Sequence, residues 1–417
     1  MSPRVYDVVV IGGGVGGAAC AHRLASDGAD VLVLEREHRF ADRIRGDVLY
    51  PWGVVEAERL GVLDGPLAAV SRPLRYWHTH VAGVARAAPR DLAAELEAGL
   101  TALTFFHPEL QAAMLESAER AGAEVLRGAV ATGLYAAPGG QRLHSVEARI
   151  GGLTNDYLAS LVIGADGRTS RTRVWGGFEV SADPEGPMFA GALVTGAKVG
   201  FTEAARDTAH VFFAPSDGLL AMVLPIDARR TRVYGGYDLQ TGRRRLTGKA
   251  AFEDLRRITE GAGVPRSWLE QAEVAGPLAE FSGADVWVES PYRKGAALVG
   301  DAAAASDPSF GCGMALTLRG VRALTDEIRR VGSFQPDALE EAGRAYAATA
   351  TRDYESLHRQ TSWLREVYRT PGTAADAMRA GLWPLYARDP SRVPDIVGLG
   401  PDAPSDEAAK RRFLGFD

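Results

Sequence analysis

The sequence predicts an α/β fold in which a parallel, helix-covered sheet is interrupted by a second, mostly antiparallel sheet and followed by a helical C-terminal segment. Three observations predict it. A β-branched run, Val8 to Ile11, enters a glycine cluster with Gly12, Gly14 and Gly17 in the spacing G-x-G-x-x-G, then a helical pattern and a second strand. Three short apolar strands end in an acid, at Glu35, Asp166 and Asp301. Between the second and third, residues 185–280 change to alternating strands separated by turn residues.

Each glycine of the first turn has a separate task. Gly12 lets the chain turn, Gly14 removes a Cβ that would hold a pyrophosphate off the backbone, and Gly17 lets the helix, from about Ala18 to Asp27, pack on its strand. The helix N-terminus then faces the phosphates. Gly28 closes the helix and Val31 to Leu34 forms the next strand. Glu35 follows Gly17 by 18 residues, near the offset of a carboxylate that accepts from ribose hydroxyls. An acid at 35 favours a free 2′-hydroxyl, hence FAD or NAD over NADP.

Further along, Arg43 and Arg45 in RFADRIRGD are candidates to meet a pyrophosphate or a second nucleotide. A helical pattern runs from about Gly53 to Leu60. Leu74 to Val84 reads as one strand, with Tyr76, Trp77, His78 and His80 as candidate pocket residues. Pro108 to Gly122 is a predicted helix whose first turn offers Gln111 to a ligand at the sheet edge. Residues 129–158 read as short strands with a turn at Pro138, Gly139 and Gly140. After the strand from Leu158 to Ile163 come Asp166-Gly167, Ser170 and Arg173. After Ala296 to Val299 come Gly300-Asp301 and a loop, Pro308 to Gly313, that opens a helix near Cys312. Residues 336–369 and Ala374 to Ala387 read as helices, and SDEAAKRRFLGFD as a surface tail or short helix.

Composition narrows the classes. A chain of 417 residues, 46% hydrophobic and 24% charged, can bury a large core in two or three lobes. A net charge of −6 argues against a nucleic-acid surface. No stretch reaches the roughly 18 apolar residues of a membrane span and no secretory core follows MSPRVYD, so a cytoplasmic location is expected. Cys20 and Cys312 are expected as reduced thiols. The eight histidines are scattered without metal-ligand spacing, so no metal is expected.

Ligands of open parallel sheets bind outside the carboxyl ends of the strands, so the three acids can converge on one long, hydroxyl-rich ligand. NAD has too little polyol to need three. FAD adds a ribityl chain for Asp301, while the helix opening near Cys312 turns its positive end toward the isoalloxazine; Gly311 and Gly313 let backbone approach the ring.

The ordered set GGGVGG, Glu35, RIRGD, LQ at 110 and 111, GADGRTS and GDAAAASDPSFGCG resembles the single-component FAD-dependent monooxygenases of the p-hydroxybenzoate hydroxylase fold, over roughly residues 5–330. The resemblance implies a discontinuous FAD-binding domain (1–75, 100–182 and 283–335), a substrate-binding β-sheet domain (76–99 and 183–282) and a C-terminal helical region (336–417). By it Glu35 would hold the adenosine ribose, Arg45 and Gln111 would contact FAD, Asp166 would sit near the pyrophosphate, and Asp301 would bind the ribityl chain. NADH or NADPH would serve as transient co-substrate, and a flavin hydroperoxide would pass one atom of O2 to a small organic substrate. Ala304 and Ala315 stand where many members carry histidine and asparagine, and His107 where arginine is common. The run Asp307-Pro308-Ser309-Phe310 is similar to that of flavin halogenases and epoxidases, yet no lysine precedes Lys198 and LLAMVLPI lacks the halogenase tryptophans. Geranylgeranyl reductases, which act on isoprenoid lipids, share the fold, and a flavin-binding module without turnover is the non-enzymatic possibility. An activated phenol would need a base, for which His80, His210 and Tyr237 are the candidates; an alkene would need none.

Overall fold

In the computed structural model of the chain, the first apolar run is the centre of the larger sheet. The structure describes residues 4–84, 88–136, 144–183, 186–200, 207–239, 245–246 and 250–416. Val5–Ile11 pairs in parallel with Val31–Glu35 on one side and Leu153–Gly164 on the other. Glu124–Arg127 and Ala296–Leu298 continue the parallel order outward. One face packs on the helices Val15–Ser26, His107–Arg120 and Gly313–Val331, the other on the hairpin of Val130–Ala136 and His144–Ile150. Burial on both faces is why these strands read as unbroken apolar runs. Their carboxyl ends share one rim, which carries Gly12, Asp166 and Asp301.

The second sheet runs in the order Glu273–Ser282, Met188–Thr195, Arg230–Tyr237, Leu219–Pro225, Thr208–Ala214, Tyr76–Val81 and Arg90–Asp91. Its pairings are antiparallel except that of Thr208–Ala214 with Tyr76–Val81. One face, with Phe189, Val211, Phe213, Met222, Leu224 and Tyr234, joins the main core; the other, with Ala190, Phe212, Val223 and Tyr237, packs on the Ala251–Ala262 helix. The helix Pro336–Tyr368 lies along Gly313–Val331, and Thr373–Arg388 follows it.

One expectation about elements is corrected. The run Leu74 to Val84 is two strands in two sheets: Ser71–Leu74 pairs with Ala102–Phe105, and after a break at Arg75 the strand Tyr76–Val81 joins the large antiparallel sheet. Pro73 lacks an N–H to extend a ladder, which suits the short first strand. Of the two alternatives for the C-terminal residues, surface tail or short helix, the helix is present: Glu407–Phe413 is capped by Asp406 and anchored by Phe413, which is fully buried against Tyr386. The turn at Pro138 to Gly140 lies outside the described residues.

Candidate functional site

A cavity of about 330 Å³ opens between the strand rim and the inner face of the antiparallel sheet. Its walls include Gly14, Arg45, Gln111, Asp301, Gly311 and Gly313 from the expected set.

The glycine turn is built as its spacing implies. Gly12 has φ +103° and a Cβ there would lie 2.5 Å from Ala165 O, while a Cβ on Gly17 would collide with Gly12 O. At Gly14 a Cβ would approach only Gln111 Nε2, at 3.6 Å, so the space it leaves belongs to the cavity and not to protein packing. Gly14 also caps the Val15–Ser26 helix without a side-chain bond, leaving amide donors of the first turn for a ligand.

The three strand-end acids do different things. Glu35 is buried and its two carboxylate oxygens accept from Gly13 N and Glu37 N, each at 2.7 Å, so it closes the glycine turn and stands behind the cavity wall. Each oxygen retains a lone pair. Asp166 is turned inward: it accepts from Ser170 Oγ at 2.5 Å, Arg171 N at 2.7 Å, Thr172 N at 3.0 Å and Thr172 Oγ1 at 3.1 Å. That carboxylate shapes the loop whose Ala165, Gly167 and Arg168 line the cavity. Asp301 alone presents its carboxylate in the wall, and no described residue donates a hydrogen bond to it. Its backbone is held separately, since Arg173 donates to Asp301 O, to Ala302 O at 2.6 Å and to Arg168 O at 3.0 Å.

The opposite end is formed by the 306–314 loop. Gly311 has φ +67° and a Cβ there would press on Tyr50 Oη at 2.6 Å; the Gly313–Val331 helix begins in the cavity with Gly313, Met314 and Thr317. Ser306 Oγ, buried in this wall, has no partner among the described residues. The loop is set from behind. Asp307 Oδ1 accepts from Ser309 N at 2.8 Å, its Oδ2 accepts from Arg365 Nε at 3.1 Å, and Arg369 reaches Ser309 Oγ at 3.2 Å. Burial depresses the Arg369 guanidinium to about 10.

Sequence reasoning missed Asp47, His107, Arg168, Tyr234 and the apolar wall of Phe189, Met222, Leu224 and Phe281. Asp47 is buried with Arg232, whose Nε donates to it at 2.9 Å and whose second nitrogen reaches Asp42 at 3.0 Å; Tyr234 donates to the same Asp47 oxygen. Burial, then the Asp47 charge, hold the Tyr234 phenol well above its ordinary range. His107 Nδ1 stands 2.9 Å from Gly46 O, and burial holds the imidazole below its ordinary value. Arg45 lies over the Phe281 ring at 5.4 Å, and Arg43 is tied to Glu37 at 2.5 Å. The period-two spacing of Arg230, Arg232 and Tyr234 in strand 230–237 was a signal for Tyr234, whereas strand 219–225 is apolar throughout and offered none.

His80, His210 and Tyr237 are not brought to the cavity. Side chains alternate across a strand, so His210, opposite Val223, faces away from Met222 and Leu224, and His80 stacks on Phe212 on that same outer face. Tyr237 belongs to the outer core and donates to Glu280.

The site fits FAD: a cradle that a Cβ at Gly14 would fill, two helix N-termini, an available carboxylate at 301 and a buried hydroxyl at 306 surround a cavity with one apolar wall. Fold and cavity together define a dinucleotide-binding α/β flavoprotein. Residues 5–343 match the family model described as FAD binding domain, and the chain belongs to that family, with the p-hydroxybenzoate hydroxylase-like fold. Squalene monooxygenase SE1 of Panax ginseng is 36% identical over 95 residues, which is 18% of this chain and 18% of that enzyme. The chain thus matches less than a fifth of that curated relative. Among solved structures, flavin-dependent brominase Bmp2 superposes with a TM-score of 0.77 at 13% identity, covering 99% of this chain and 97% of the other. p-Nitrophenol 4-monooxygenase PnpA from Pseudomonas putida DLL-E4 gives 0.76 at 19% identity, covering 93% and 95%. Among the described residues no helix is long and apolar enough to cross a membrane.

Proposed function

We propose that the chain is an FAD-dependent, NAD(P)H-consuming monooxygenase that inserts one atom of O2 into a small aromatic or unsaturated substrate, by hydroxylation or epoxidation. The observation that carries this reading is a cavity with two unlike walls, a dinucleotide cradle with Gly14 and Asp301 on one side and Phe189, Met222, Leu224 and Phe281 on the other. FAD, when bound, supplies electron transfer from the nicotinamide and the activation of oxygen. One oxygen atom enters the substrate, and the second leaves as water with the two electrons of NAD(P)H.

The chain's residues bind, orient and exclude water. Gly14, Gln111 and the Val15–Ser26 helix end serve the pyrophosphate, Asp301 the ribityl hydroxyls, and the Gly313–Val331 helix end the ring, where its dipole favours negative charge. Glu35 serves the adenosine ribose through its remaining lone pairs, and Asp166 acts through the loop it shapes. The apolar sheet face keeps the reacting centre dry. Tyr234 stays a phenol and orients a substrate hydroxyl. With Nδ1 donating to Gly46 O, neutral His107 keeps Nε2 as an acceptor, and it replaces the outer-face histidines as candidate base for a phenolic substrate. Arg45 receives the passing nicotinamide. The same reading assigns 1–75, 100–182 and 283–335 to the cofactor, 76–99 and 183–282 to the substrate, and 336–417 to support of the 306–314 loop.

Halogenation is the competing outcome that the Bmp2 likeness raises. The strand Leu219–Pro225 has Leu220 and Met222 where the halogenase motif would carry its two tryptophans, and no lysine precedes Lys198. The test is a panel of phenols and alkenes screened for stimulated NADH or NADPH oxidation, followed by turnover under ¹⁸O2 with and without chloride and bromide. One labelled oxygen in the product and no halide dependence are expected. Arg45→Ala should slow flavin reduction more than the later reaction with oxygen. Halide-dependent product, or a hydrogenated product formed without oxygen, overturns the assignment.

A further inference from the structure

The outer face of the antiparallel sheet carries a polar group that the flavin chemistry does not use. His78 and His80 stand two residues apart on Tyr76–Val81 and so project to one face. The parallel register sets His210 beside His78 and Phe212 beside His80. One donor nitrogen from each of the three imidazoles lies within 4.8 Å of the other two. His80 Nε2 and His210 Nδ1 are hydrogen-bonded at 3.2 Å.

That arrangement matches the needs of a transition ion. Imidazole nitrogens about 2.0–2.1 Å from zinc, set at tetrahedral angles, are separated by roughly 3.4 Å. The His80 to His210 separation is already near that length, and the other two are within 4.8 Å. His78 and His210 are buried and His80 is half-buried. Phe212 stacks on His80 at 4.1 Å and Trp268 meets His210 edge-on at 4.8 Å, which fixes the ring orientations before any ion arrives. A second trio, Asp183, Asp285 and His358, has one of its carboxylates already paired to Arg365 and suits a cation less well.

We propose that His78, His80 and His210 form a binding site for one divalent transition ion, zinc above all, with water in the fourth position. Three neutral nitrogen donors without a carboxylate select imidazole-seeking ions, zinc, copper, nickel and cobalt, over magnesium or calcium. The neighbouring Met222 and Leu224 point to the opposite face, so the ion takes no part in the flavin reaction. It ties the strand Tyr76–Val81 to Thr208–Ala214, between residues 130 apart in sequence. Loss of chain freedom on closing so long a loop gives such a tie its stabilising effect. Sequence spacing alone leads to the expectation of no metal, because the third ligand comes beside His78 and His80 only through sheet register.

The test uses the full-length flavoprotein, made without a polyhistidine tag and stripped with a chelator. Zinc titrated by calorimetry should bind at one ion per chain, cobalt should give visible bands to the red of the flavin, and zinc should raise the melting temperature. His210→Ala should weaken zinc binding by more than about 100-fold, beyond the effect of losing an outer-shell partner. His80→Gln, at the half-exposed position, serves if His210→Ala does not fold, with flavin content as the folding check. His144→Ala, on the other sheet, should bind zinc like wild type. Magnesium should not compete. Absence of zinc binding to the wild type, equal zinc binding in His80→Gln, or binding lost in His358→Ala instead, overturns the site.

Discussion

Removing the carboxylate at position 301 separates cofactor binding from folding. Asp301 faces the cavity with no described donor on its side chain, while its backbone is held independently by Arg173. Asp301→Ala should therefore leave the empty protein's melting temperature nearly unchanged. A charge-assisted hydrogen bond to a ribityl hydroxyl contributes about 1.5–3 kcal/mol, which is roughly 10- to 150-fold in the dissociation constant for FAD. One opposing effect is smaller: Asp301 is the leading charge that favours the protonated form of Arg168, and without it the cavity becomes more positive toward a pyrophosphate. Asp166→Ala is the contrast, since four hydrogen bonds of the 166–172 loop end on that side chain and its loss should lower thermal stability. Asp217→Ala, in the Pro215–Asp217 turn, should change neither. The assay is titration of flavin-stripped protein with FAD, followed by fluorescence quenching, beside thermal melts. Equal FAD affinity in wild type and Asp301→Ala would refute the assignment of this carboxylate to the flavin.

Gly14→Val should yield folded but colourless protein, because the added Cβ faces the cavity and meets no protein atom closer than Gln111 Nε2; a variant that purifies with a full complement of FAD sinks the cradle. Asp285 gives a pH signature. It is fully buried, and burial, then repulsion from Asp307, raise its carboxyl to about 7. The folded state therefore binds this proton more tightly than the unfolded chain, whose aspartates titrate near 3.9. The resulting stabilisation is complete below about pH 4 and is lost as pH rises toward 7. Asp285→Asn should accordingly be more stable than wild type at pH 8, by a few kcal/mol at most, with the gap closing by pH 4. Urea unfolding at the two pH values measures it, and a variant less stable than wild type at pH 8 contradicts the sign.

Legibility from sequence followed the range of the interactions. The glycine turn, the strand it follows and the helix it opens are local, and their spacing carried Gly12, Gly14, Gly17 and Asp301 to the rim. The change to antiparallel strands after residue 185 was equally local. What failed were inferences about where a side chain points once strands pair. Asp166 ends a strand as Asp301 does, yet its carboxylate is consumed by Ser170, Arg171 and Thr172, because a following turn offered four donors. Arg365 and Arg369, which set the 306–314 loop, come from a helix more than 50 residues later and carry no motif.

The misplaced histidines show how much one alternation decides. His210 and Val211 are adjacent, but one faces Trp268 and the other the main core. A shift of one residue in the pairing of Thr208–Ala214 with Leu219–Pro225 would have turned His210 to the cavity and Val211 to the outer core. Packing selects the observed register: Ala209, Val211 and Phe213 are apolar and complete the core behind the cavity, while His210 would enter it unmatched. The cavity's apolar wall and the outer imidazole cluster are thus two consequences of one register. The carboxylate, imidazole and phenol groups in the cavity wall come from outside that strand, at Asp47, His107, Asp301 and Tyr234. If the proposed substrate is a phenol, its base would come from this short set. With Asp47 paired to Arg232 and Tyr234 held as a phenol, His107 is the group whose depressed ionisation leaves it neutral and able to accept a proton.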